Sequence, residues 1–125
     1  MIHEAALHMH FGGPEVMRNQ LVHLIELARQ PTITIQVFPF KADAFAAFSG
    51  AFLHVTPSVP ELSTVLLEHP VKSIYLDDEE HITQYQAMFD RLSREALAPI
   101  NPTAVPESHA HPDSLGLLQH ILYTL

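Results

Sequence analysis

Near the start of the chain, Glu4, His8 and His10 stand close enough in sequence to act as one constellation. If Ile2 to Phe11 is extended, all three side chains point to one face, because successive residues of a strand alternate between faces. Ala6 between them leaves room for a small ligand or for water. Two imidazoles at this spacing can bind a transition metal, with Glu4 as a further ligand or as the carboxylate that orients a ring. The same trio can instead move protons on an uncharged substrate. No HExxH helix and no third-ligand cluster accompanies the pair, so neither a metal nor a cofactor is expected. Surface and ordinary hydrogen-bonding roles compete with both chemical readings. His54, within Phe52-Leu53-His54-Val55-Thr56, adds a polar point to a pocket or a cross-strand hydrogen bond. Glu4, His8, His10 and His54 are therefore the candidates for proton transfer or carbonyl polarisation.

Aromatic density peaks between Phe38 and Phe52. Phe40, Phe45, Phe48, Phe52 and Tyr75 are the candidates for shaping an apolar substrate pocket, with core packing as the plainer role. His23 reads as a helix-boundary residue, and His109 and His111 as loop or capping residues. Asp77-Asp78-Glu79-Glu80 suits a helix start, where the helix dipole favours negative charge. No Ser–His–Asp motif, P-loop or specific carboxylate pair is present.

The elements that would carry these residues follow from periodicity. Ile2 to Phe11 reads as a strand ended by Gly12-Gly13, and Pro14 opens a helix at the position where its missing N–H costs nothing. Met17, Leu21, Leu24, Ile25 and Ala28 form that helix's apolar stripe, and Pro31 ends it. Thr32 to Phe38 is rich in β-branched residues, with Ile33, Ile35 and Val37 alternating against Thr32, Thr34 and Gln36. Lys41 to Gly50 is a loop or short helical turn. Ala51–Thr56, Leu62–Glu68 and Val71–Leu76 are further strands, the last two joined as a hairpin through His69-Pro70. Asp77 with Glu80 fits a reciprocal helix cap, followed by a stripe of Ile82, Tyr85, Phe89, Leu92 and Ala96. After Pro99, Pro102 and Pro106, a last helix carries Leu115, Leu118, Ile121, Leu122 and Leu125. The expected fold is α+β, one domain over residues 1–125. It contains a mainly antiparallel or mixed sheet of four or five strands, with helices near 14–30, 78–97 and 113–124.

Composition narrows the function. The 125 residues carry a formal net charge of -8, from 14 acidic and 6 basic side chains. Such a surface repels a phosphate backbone, so direct nucleic-acid binding is not expected. With no cysteine, disulfides and thiolate chemistry are excluded. The amino terminus lacks a basic leader with an apolar run, and no apolar stretch approaches the roughly 20 residues that span a bilayer. A cytoplasmic location without membrane association is the default.

Glu4, Gly12-Gly13-Pro14, Met17, Gln20-Leu21, Gln36-Val37, Pro39-Phe40, Gly50 and Phe52 form a combination more specific than any short motif, extended by Tyr75-Leu76, Tyr85, Phe89 and Leu92. In these residues the chain resembles the C-terminal domain of actinobacterial helix-turn-helix regulators of the antitoxin-like class. That resemblance implies a sensory or partner-binding module, normally preceded by a DNA-reading domain and often encoded beside a small partner protein. It implies no catalytic residues. Here Met1 stands directly before the module, so a complete product would be a detached regulatory domain or one converted to a small-molecule role.

Two functional expectations result. The first is a stand-alone regulatory or partner-binding module that docks a small protein encoded nearby or a second copy of itself, using Leu62–Leu67 or the final helix. The second is a small cofactor-free cyclase, isomerase or lyase acting on an apolar small molecule, by holding a reactive conformer in a dry pocket.

Overall fold

The structure is a computed structural model that describes residues 1–42, 50–101 and 113–125. Its elements are helices and β-strands in an α+β arrangement. Their contacts gather into two compact units, Met1–Ala42 with Ser93–Leu125, and Asp43–Leu92.

The first unit opens with β1 (Ile2–His3), after which the chain turns directly into α1 (Glu4–Leu7). The expected strand from Ile2 to Phe11 is thus corrected to two extended residues and a helical turn. The reason is local. Glu-Ala-Ala-Leu is a run of strong helix formers, and the His3 side chain accepts the Ala5 N–H at 3.1 Å as an N-cap. Leu7 is buried at the end of that turn. Gly13, at φ +90°, then caps α2 (Pro14–Leu27) from a conformation L side chains avoid. Its expected stripe faces the core: Leu21 and Ala28 are buried, and Met17, Leu24 and Ile25 pack against them.

The strand expected over Thr32–Phe38 is reduced to β2 (Val37–Phe38), parallel to β1 with Ile2 opposite Val37 and His3 opposite Phe38. Its other edge is already satisfied without a strand. The Leu97 N–H donates to the Val37 carbonyl at 3.0 Å, and the Ile100 N–H to the Ile35 carbonyl at 2.9 Å. The Val37 N–H donates to Ser114 Oγ at 2.9 Å. Gln36, placed on the polar face by alternation, is buried as well. Its amide donates to the Ser93 and Leu97 carbonyls, each at 3.1 Å, and its Oε1 accepts the Ser93 hydroxyl at 2.7 Å. With both faces covered, period-two polarity no longer reports which side meets water.

The last helix, α4 (Ser114–Thr124), begins under Asp113, whose carboxylate accepts the Gly116 N–H at 2.7 Å. Leu115, Leu118 and Ile121 bury its inner face, and α4 packs against α2. Arg18 donates to the Leu125 carbonyl at 3.0 Å.

The second unit contains β3 (Leu53–Val55), a 3₁₀ turn (Pro60–Leu62), β4 (Thr64–Glu68) and β5 (Ser73–Leu76). These strands form an antiparallel sheet in the order β3-β4-β5. The β4–β5 hairpin is the one expected through His69-Pro70, closed by the His69 N–H donating to Lys72 at 3.2 Å. The expected single sheet of four or five strands is therefore divided into this meander and the short parallel pair.

The division between the units falls within α3 (Glu79–Glu95), after Leu92. Asp78, rather than the expected Asp77, caps this helix: its Oδ2 accepts the His81 N–H at 3.1 Å and its carbonyl accepts the Ile82 N–H at 3.1 Å. In place of the return bond expected from Glu80, the side chain three residues on, His81, meets the capping carboxylate, with Nδ1 2.6 Å from Asp78 Oδ1.

Candidate functional site

The turn from β1 into α1 sets Glu4 and His8 one helical turn apart, the spacing at which side chains on a helix meet. Glu4 Oε1 lies 3.5 Å from His8 Nε2, while Oε2 accepts the Phe40 N–H at 2.8 Å. The Phe40 ring stacks with His8 at 5.9 Å between centroids and meets the edge of His3 at 5.6 Å. His3 in turn stacks with Phe38 at 6.0 Å. The chain leaving β2 is thus fastened to α1 by one carboxylate–amide hydrogen bond and by ring contacts. One carboxylate oxygen is committed to holding the backbone, and His8 and Phe40 remain exposed at the surface.

His10 leaves the expected constellation. α1 ends at Leu7 with His8 as its C-cap, and His10 lies exposed in the turn that follows, its carbonyl accepting the Gly13 N–H at 3.1 Å. The shared strand face for Glu4, His8 and His10 is corrected for the same reason as the strand itself. Among the described residues, no three His, Cys, Asp or Glu side chains group to hold a metal ion.

His54 belongs to the second unit. It is half-buried, with Nε2 3.4 Å from Thr56 Oγ1. It lines a groove of about 440 Å³, with Thr56 and Ser63 from the connection between β3 and β4 and Ile82, Thr83, Gln86, Ala87 and Asp90 from α3. The Gln86 amide donates to Asp90 Oδ1 at 3.0 Å, fixing that carboxylate along the helix. The groove offers an imidazole, hydroxyls, an amide and a carboxylate over an aliphatic floor, which suits hydrogen bonding to a small polar molecule. Phe52 is edge-on to Tyr85 at 5.0 Å. Phe45 and Phe48 lie outside the described residues.

Tyr75 lies on the opposite side of the sheet from Val65, whose side chain is fully buried. Register places Leu53 opposite Leu66 and Leu66 opposite Tyr75, one apolar row across all three strands. Val55, opposite Thr64, continues the face. Leu53, Val55 and Tyr75 are 56%, 55% and 69% exposed. Sequence reasoning singled out Tyr75, and Leu66 within Leu62–Leu67, but missed Leu53 and Val55 as their neighbours. The signal was their common parity, read together with hairpin register.

Near the exposed α3 cap, the hydrogen bond to Asp78 raises the pKa of His81, and the same bond lowers that of Asp78. These shifts belong to helix capping.

Fold and surfaces together define a small α+β domain with a parallel pair and a three-stranded meander, an aromatic-histidine surface cluster and an uncovered apolar sheet face. Over residues 1–105 the chain matches the family described as a domain of unknown function, DUF5753, and it belongs to that family. Comparisons with curated proteins and with solved structures gave no match. No helix among the described residues is long and apolar enough to cross a membrane.

Proposed function

We propose that this domain is a regulatory module that works by binding a protein partner, as the resemblance to the sensory domain of antitoxin-like helix-turn-helix regulators implies. The observation that carries this reading is the outer face of the β3-β4-β5 sheet, where Leu53, Val55, Leu66 and Tyr75 lie together. Single exposed apolar side chains are normal on soluble proteins, whereas a contiguous group on regular structure marks an interaction surface. A tyrosine beside aliphatic neighbours has the composition of an interface anchor. The formal charge of -8 turns the choice of partner away from nucleic acid.

Co-expression with the product of the adjacent gene tests this. The wild-type chain retains that protein through size exclusion. Tyr75→Ala weakens the complex about 30-fold, the effect of losing an anchor worth about 2 kcal/mol, and circular dichroism stays unchanged. A wild-type chain that elutes alone, or a Tyr75→Ala chain that binds as well, overturns the reading.

A second reading rests on the groove at His54 and Asp90: a small-molecule site, used either for binding or for a cofactor-free cyclisation, isomerisation or elimination. Incubation with intermediates encoded near the gene, followed by mass spectrometry, tests it. Turnover lost in His54→Ala supports the enzyme, and binding without acceleration over the protein-free reaction removes it.

A further inference from the structure

Glu68 and Asp77 bracket the apolar row of the outer sheet face. Glu68 follows Leu66 by two residues on β4, so its side chain leaves the same face, in the row it shares with Ser73. Asp77 is the exposed residue directly after the end of β5, whose Leu76 pairs with Val65; carrying that register on by one residue sets it beside Thr64, on the other side of Leu53-Leu66-Tyr75. The two flanking rows are separated by the four residues from Thr64 to Glu68, about 13 Å along the strands. No Lys or Arg is among the strand residues of this face.

A second copy of the chain is a poor occupant. Laying this row on its own copy sets carboxylate-bearing rows against carboxylate-bearing rows, and like charges brought together at an interface oppose association. An anionic membrane surface or a nucleic acid meets the same repulsion. We infer that the occupant is a different protein, presenting an apolar ridge flanked by two cationic side chains, Lys or Arg, about 13 Å apart. This rests on the protein-binding reading above and adds the partner's chemistry to it. The apolar row supplies the buried centre, and Glu68 and Asp77 fix register and orientation from the rim, where exposed charges act on specificity and on encounter rate.

Three synthetic helical peptides test the inference on the full chain by NMR titration at low salt. The first carries a Leu ridge with two Lys seven positions apart, on one face of the helix and about 10 Å apart along it, a spacing their long side chains extend to about 13 Å. The second replaces those Lys by Glu, and the third replaces the Leu ridge by Ser. The Lys peptide is expected to shift the resonances of Leu53, Leu66 and Tyr75 and to bind about tenfold more tightly than the Glu peptide, the scale of two exposed charge pairs exchanged for two repulsions. The difference shrinks at high salt. The double variant E68K/D77K reverses the order of the two charged peptides, and E68Q/D77N, which needs no new charge accommodated, erases it. Equal binding of Lys and Glu peptides at this face, or an order unchanged in both double variants, overturns the cationic partner and leaves the apolar docking face standing. Shifts that map elsewhere, or a Ser-ridge peptide that binds as well as the Leu-ridge one, overturn the docking face itself.

Discussion

Replacing Ser114 by alanine removes one oxygen atom and leaves a backbone donor of β2 with nothing to bond. The Ser114 hydroxyl accepts the Val37 N–H at 2.9 Å, and both residues are fully buried. Water cannot replace the lost acceptor, so the variant bears the desolvation cost of an unmet amide, about 1–3 kcal/mol. For a chain of this length that corresponds to a fall in Tm of about 4–15 °C. The magnitude is large for the loss of one atom, because total stability in such domains is only about 5–15 kcal/mol. Thermal unfolding by circular dichroism reads the loss, and amide hydrogen exchange locates it: Val37 loses protection before the α2 amides do. Thr64→Ala is the control, since its hydroxyl donates to the Leu62 carbonyl at an exposed site and its removal falls within about 0.5 kcal/mol. If Ser114→Ala unfolds within 1 °C of wild type and Val37 stays protected, the Ser114 hydroxyl is not the buried acceptor that satisfies the Val37 N–H.

Other changes test other parts of the structure. Leu118→Ala empties a fully buried position between α2 and α4 and is expected to cost about 2–5 kcal/mol in chemical denaturation. Gly116→Ala should not show the gain of about 1 kcal/mol that alanine usually brings to a helix, because a Cβ there would sit 3.0 Å from the capping Asp113 oxygen. Tm should fall in the Gly116→Ala single variant and rise when Gly116→Ala is made on an Asp113→Ala background. The charge-assisted pairing of the Asp78 and His81 side chains is complete only while the carboxylate is charged and the imidazole protonated. His81 has its folded pKa raised, so its contribution is complete below the ordinary histidine range and is lost as pH rises through the folded value. Asp78 has its pKa lowered, so its contribution is present above the ordinary carboxylate range and is lost as pH falls through the folded value. Wild type minus His81→Ala should therefore differ most in Tm between about pH 4 and 6.5, and a flat difference from pH 4 to 9 would refute the pairing.

The three longer helices and the hairpin were legible in the sequence because each is written in local terms. Pro14 behind two glycines, the stripe from Met17 to Ala28, the acidic start before Ile82 and the leucines after Asp113 are features of neighbouring residues. Those residues form α2, α3 and α4 close to where periodicity set them. The hairpin through His69-Pro70 is local in the same sense. Acidity and the lack of cysteine also came from composition alone.

Tertiary contacts decided the rest. A short apolar run from Ile2 fits either period, and the balance tipped to a helical turn once His3 capped it and Phe40, thirty-six residues from Glu4, fastened it. That choice dissolved the trio of Glu4, His8 and His10, since changing a strand into a helix changes which side chains share a face. Gln36 and Ser114 read as ordinary polar residues until Ser93, Leu97 and Val37 arrive from distant parts of the chain and make them buried hydrogen-bonding groups. The outer sheet face has the same origin. Alternation by itself states only that Leu53 and Val55 share a side, and the pairing of β3 with β4 and of β4 with β5 brings Leu66 and Tyr75 beside them. Local order follows from the free energy of adjacent residues, whereas a binding surface needs register, and register is set by contacts between strands that the sequence holds apart.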